Sequence, residues 1–172
     1  MATKTQKAQS AQVTDMLRKD HKKVKALFKK FEKTTKAHEK QDIVNTALVE
    51  LEIHAELEEK IIYPAIRPKL KDEDLMDEAL EEHHVVHAVI GELKKMKPGD
   101  ERYDAKFTVL GELCKHHIEE EEKEMLPQTE KKRDIDWDSL YEQVMKRKDQ
   151  LMEKAGMSSN GANTNSKARK KK

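Results

Sequence analysis

Two stretches decide how this chain is read: HAELEEKIIYP, His54–Pro64, and HIEEEEKEMLP, His117–Pro127. Each reads His, three residues, Glu-Glu-Lys, two residues, an apolar or aromatic residue, Pro. Residues four apart on a helix share a face, about 6 Å from one another. His54 with Glu58, and His117 with Glu121, therefore each present an imidazole and a carboxylate together. That is an arrangement for holding a metal, and its duplication points to two halves of one site.

The repeat extends outward from these stretches. DHKKVKALF (Asp20–Phe28) matches EHHVVHAVI (Glu82–Ile90) as an acid, His, two residues, Val, one residue, Ala, then two apolar residues. His21 precedes His54 by 33 residues, and His83 precedes His117 by 34. A first helix plus a second is thus written again as a third plus a fourth. The expected fold is all-α, an antiparallel up-down-up-down four-helix bundle with an added C-terminal amphipathic helix. The two halves would relate by a pseudo-twofold axis, with His21, His54, His83 and His117 facing it at similar depth.

Apolar spacing locates the elements. A flexible N-terminus is expected over 1–13, with Thr14 capping the first helix. The bundle spans 14–127, with helices near 39–66, 72–97 and 102–126. YPAIRPKLKDED should break the second helix and Pro127 should stop the fourth, because the residue before a proline is pushed out of the helical region. Residues 128–155 form the added helix, with Trp137, Leu140, Tyr141, Val144 and Leu151 packed on the bundle. A disordered basic tail covers 156–172.

Composition agrees with helices and restricts function. Charged residues make up 40% of the 172, aromatics only 4%, and Gly (5) and Pro (4) are few, a mix that favours helix over sheet. The single cysteine rules out an internal disulfide and a Cys-rich zinc site. The first residues carry no apolar run, and no stretch approaches the roughly 20 apolar residues of a membrane span, so a cytoplasmic protein without a membrane partner is expected. Five positive charges of the net +1 sit in the terminal SKARKKK, leaving the remainder at −4. The basic residues lack aromatic interleaving, so no nucleic-acid partner is expected. A monomer or weak oligomer is expected.

His87 stands four residues after His83, so the inward groups number five imidazoles (His21, His54, His83, His87, His117) and two carboxylates (Glu58, Glu121). Imidazole suits iron, zinc and copper. A single zinc needs four ligands, whereas seven suit a pair of metals with the carboxylates bridging. Glu122 is the alternative to Glu121 if the helix is bulged there. His38, in a loop, is set aside, and His84 and His116, off the inner face, are read as supporting the ligands from outside or as merely solvated. Cys114 is read as a small core residue, with redox tuning as the lesser reading. Tyr63 is read as a stopper at the helix end, with a donor near the site as the lesser reading. HExxH is absent, which removes the zinc-protease reading, and no Gly-rich phosphate loop occurs.

DHKKVKALF, HAELEEKIIYP, EEHHVVHAVIGEL and HHIEEEEKEMLP, in that order, resemble the motifs of bacterial hemerythrin-like proteins, the HHE cation-binding domains. The resemblance implies a four-helix bundle with an oxygen-bridged centre of two iron ions. It implies that His83, His87 and His117 bind one iron, His21 and His54 the other, with Glu58 and Glu121 bridging. The oxygen carriers of the family place the second bridge one residue later, which would be Glu122; many bacterial members space it as here. Reversible dioxygen binding, for storage or sensing, is the function implied first. An enzyme acting on peroxide or nitric oxide, or an iron buffer, is the alternative.

Overall fold

The computed structural model describes residues 4–157, with side chains from Ser10 onward. Its regular elements are all helical: α1 (Lys4–Lys33), α2 (Ala37–Leu57), α3 (Tyr63–Ile66), α4 (Glu73–Leu93), α5 (Tyr103–Glu120), α6 (Leu126–Glu130) and α7 (Trp137–Lys154). α1 packs on α2 and α5, and α4 packs on α5 and α2, so the four long helices close a ring. α7 lies outside it, against α1 and α2.

The inner face of α4 follows a strict three-four spacing, and that of α5 follows it as far as His117. α4 buries Met76, Ala79, His83, Val86, Ile90 and Leu93; α5 buries Tyr103, Phe107, Leu110, Cys114 and His117. This is the narrow seam of interlocking helices rather than a broad stripe. Gly111 lets α1 approach α5 closely, since a Cβ there would lie 2.9 Å from the Phe28 ring. Asp72 caps α4 by accepting from Asp74 N–H, and Asp136 caps α7 by accepting from Ser139 N–H, each at 3.1 Å.

Three expectations are corrected. α1 begins at Lys4 rather than after a flexible 1–13 segment, because Ser10 and Val13 are already buried. Thr14 is inside that helix, its hydroxyl donating to Ser10 O, and caps nothing. His38 lies in the first turn of α2, exposed, rather than in a loop. The tail expected to be disordered falls, from residue 158, outside the described residues.

The prolines also do less than expected. α2 runs on through one wide turn, Glu58–Ile62, into α3, and α5 runs on through Glu121–Met125 into α6. Proline has no N–H and its ring clashes with the carbonyl four residues back. In both wide turns the hydrogen bonds reach five residues back: Tyr63 N–H to Glu58 O, and Leu126 N–H to Glu121 O. Pro64 and Pro127 follow immediately, where that looser pitch accommodates them.

The core has two apolar clusters. One contains Val13, Leu17, Leu57, Ile62, Met76 and Met125, with Trp137, Leu140 and Val144 from α7. The other contains Val24, Phe31, Leu48, Ile90, Phe107 and Leu110. In sequence, each ligand candidate falls between a residue of one cluster and a residue of the other, as His21 falls between Leu17 and Val24. A layer of buried polar groups thus separates two dry regions.

Candidate metal centre

The heptad seam and the two wide turns bring six groups into that layer. His21, His54, His83, His117, Glu58 and Glu121 are all buried, the carboxylates almost completely. The Nε2 atoms of His21 and His54 are 3.1 Å apart, as are those of His83 and His117. Glu58 lies between the pairs, with Oε1 3.1 Å from His54 Nε2 and Oε2 3.2 Å from His83 Nε2. Glu121 Oε2 is 3.1 Å from His21 Nε2. Two groupings follow, each with its ligand atoms within 4.8 Å: His21, His54, Glu58 and Glu121, and then Glu58, His83 and His117. Glu58 belongs to both.

The outer ring nitrogens have carboxylate partners. Nδ1 of His21 faces Glu122 at 2.8 Å, that of His83 faces Glu59 at 3.0 Å, that of His117 faces Glu82 at 2.7 Å, and that of His54 faces Asp20 at 3.5 Å. A carboxylate can only accept, so each Nδ1 carries the proton and each Nε2 can turn a lone pair inward. This is the outer-shell arrangement that fixes imidazole ligands on metals.

Bound cations fit this layer. Both oxygens of Glu58, and Oε2 of Glu121, are buried with no hydrogen bond, although imidazole nitrogens stand 3.1–3.2 Å away. These imidazole–carboxylate pairs are close but lack the alignment of a hydrogen bond. Ligands bound to a metal at about 2.0–2.1 Å sit about 3.0–3.4 Å from each other, which matches these separations. Without a cation, the layer holds protonated imidazole against carboxylate. Burial pushes His54 and His83 down, but Glu58, with Asp20 for the first and Glu59 for the second, raises both above their ordinary value. Burial likewise pushes Glu58 up, and the two imidazoles more than offset it, holding it well below the usual carboxylate range.

His87 is not brought into the layer. It is exposed, and its Nε2 lies 2.8 Å from Glu59 Oε1. The inner face of α4 passes through His83, Val86 and Ile90, leaving His87 on the shoulder. His87→Ala should therefore leave the metal content of the purified protein unchanged; loss of one equivalent would show that His87 swings in as a ligand.

Glu122 supports His21 from outside rather than entering the layer, even though the helix is bulged there. Tyr63 takes the lesser of its two readings, a donor near the site: its hydroxyl lies 3.3 Å from Glu121 Oε1, to which it donates, and 3.4 Å from His117 Nε2. Burial and the neighbouring Glu121 and Glu58 push the phenol well above its ordinary range, so it remains a neutral donor. Asp20, Glu59 and Glu82 were not singled out as site residues. Their signal is adjacency: each stands beside a ligand candidate in sequence, as Asp20 does beside His21. His84 and His116 are exposed. Cys114 is buried, and burial pushes its thiol up to about 12.

Above the four histidines lies a small cavity of about 30 Å³, walled by Val24, Leu51, Val86 and Cys114. No helix among the described residues is long and apolar enough to cross a membrane.

Comparison with known proteins agrees with this fold. A solved hemerythrin HHE cation binding domain-containing protein from Mycobacterium kansasii has the same fold, with a TM-score of 0.68 at 24% identity over 81% of this chain and 86% of that one. A protein of Nostoc sp. described as a DNA nickase is 25% identical over 114 residues, 66% of this chain. The chain spans about a third of that relative's length, 32%, so the nicking activity is stated of that protein alone. The model of the hemerythrin HHE cation binding domain matches residues 12–129, more than half of the chain, and the protein belongs to that family.

Proposed function

We propose that the six converging groups hold two iron ions and that the protein binds dioxygen in the cavity above them. Four imidazoles with two carboxylates and no thiolate make a donor set suited to borderline divalent metals, iron among them. The iron pair, when bound, supplies the electrons that dioxygen lacks. The observation that carries the choice of ligand is the cavity. About 30 Å³ has room for a molecule of two or three atoms. Val24, Leu51 and Val86 offer it no hydrogen bond, and the Cys114 thiol stays neutral. Such walls favour entry of an apolar diatomic gas, and the imidazoles and Asp20 line the opposite, polar side of the space. The apolar walls also keep bulk water from the inward nitrogens.

A second reading, turnover of dioxygen or nitric oxide, is favoured by the placement of His87. Five imidazoles would leave one ion more fully ligated than the other; two on each side leave both able to take a further ligand. Stopped-flow mixing of the reduced, iron-loaded protein with dioxygen separates the readings. A ligand band reversed by lowering the dioxygen pressure means carriage, and a band that decays irreversibly means turnover.

Val86→Ile tests the cavity itself. It adds one methylene to a wall of the space while leaving every ligand candidate in place. Dioxygen binding should weaken roughly tenfold or more, with iron content unchanged. Equal binding in the variant would show that the ligand does not occupy this cavity.

A further inference from the structure

The two halves of the centre differ in one feature that comes from outside them. Asp20 and Glu82 occupy equivalent places in the repeat, each one residue before an inner histidine, and each faces the Nδ1 of the histidine on the next long helix. Glu82 reaches His117 at 2.7 Å, whereas Asp20 stands 3.5 Å from His54. Asp20 is held elsewhere: Lys148 of α7 donates to both its oxygens, at 2.6 and 2.7 Å. The pair is largely buried, with side-chain exposures of 17% and 13%. Glu82 has, besides His117, the side chain of His116 beside it, 3.3 Å away and 63% exposed.

We propose that α7 is a working part of the metal centre, in which Lys148 draws Asp20 off His54 and so lowers the metal affinity of the position of His21, His54 and Glu121. This rests on the two-ion reading above. The physical argument is competition for one carboxylate. A carboxylate accepting from Nδ1 pushes electron density onto the imidazole and strengthens Nε2 as a ligand. An ammonium on both oxygens of Asp20 takes that charge first, because a charge-assisted bond at 2.6–2.7 Å outweighs a contact at 3.5 Å. His117 keeps the full push of Glu82. Lys148 touches no ligand candidate, so it is a positioning residue. It also lies beyond the residues that the family model matches, 12–129, so the effect is a property of this chain's added helix.

Titration of metal-free protein with cobalt(II), followed by its visible absorption, tests the proposal. Wild type should take up two ions in two resolved steps. Lys148→Met keeps the length of the side chain and removes the charge; Asp20 is released to His54, and the step that Glu121→Ala abolishes should tighten about tenfold while the other step stays. Lys148→Arg, which keeps the charge, should leave both steps as in wild type. Trp137 fluorescence reports in each variant that α7 stays docked. A step that is unchanged or weaker in Lys148→Met with α7 docked overturns the proposal, as does a wild type whose two ions bind in one unresolved step. A Lys148→Met variant whose α7 undocks leaves Lys148→Arg to decide: if the same step shifts there with α7 docked, the charge is not the cause and the proposal fails. A wild type that binds fewer than two ions would instead remove the two-ion reading itself.

Discussion

Glu58→Ala should strip both metal positions, whereas Glu121→Ala should spare one. Glu58 is the residue common to the two groupings, with one oxygen toward His54 and the other toward His83. Glu121 shares a grouping with His21 and His54 only. Losing Glu58 therefore takes a ligand from each ion and leaves the four imidazoles with Glu121 as the one inner carboxylate of the six groups. Replacement of an outer partner costs about 10–100-fold in metal affinity; removal of a shared inner ligand should cost more on both sides, and metal analysis after gel filtration should find almost none. Glu121→Ala should retain about one ion per chain, at His83 and His117. Two ions retained in Glu58→Ala would mean that the carboxylate does not bridge.

Metal removal is the other large effect. Any ion bound by the native state alone stabilises it by about 4 kcal/mol at a thousandfold excess over its dissociation constant. For a chain of this size that is roughly 8–16 °C in melting temperature, so chelation should lower the Tm by about that much. The size of the drop should depend on pH. In the metal-free protein His54 and His83 are raised above 6.5, so their contribution is complete below 6.5 and is lost as pH climbs through the raised values. Glu58 is held below 4.5, so its contribution is complete above 4.5 and is lost as pH falls through the lowered value. The metal-free protein should be most stable between about pH 4.5 and 6.5. Metal needs the imidazoles unprotonated, so the gap between loaded and metal-free Tm should widen from pH 6 to pH 8. Calorimetry of both forms at two pH values is the check; a gap that narrows would contradict this assignment of charge.

Much of this was legible in the sequence, and the exceptions have physical reasons. His21, His54, His83 and His117 could be read because the repeat and the helical period agree on one face. His87 misled because a spacing of four fits a broad apolar stripe as well as a narrow seam. Only packing shows that the seam of α4 steps from His83 to Val86. Pro64 and Pro127 look like stops, because a proline in a helical pattern usually is one. That both halves carry a proline at the same place was the available sign of a wide turn. The Tyr63 hydroxyl and Lys148 gave no periodic signal, since neither the reach of a side chain along a helix nor the docking of α7 is written in local spacing.

The outer carboxylates have one further consequence. Asp20 and Glu82 each serve a histidine of their own half, but Glu59 of the first half serves His83 of the second, and Glu122 of the second serves His21 of the first. Neither hairpin can finish its own histidines; each lends a carboxylate across the axis and borrows one back. This is the reciprocity of an isologous contact, in which the same patch meets itself. One hairpin bearing a single copy of each motif, paired with an identical hairpin about a twofold axis, would fill the same inner and outer positions. The chain carries the symmetry of a homodimer within one polypeptide, and a single polypeptide can differ between its halves, as Tyr63 does from Leu126 and His87 from Lys25, and can bring Lys148 of α7 to one half alone.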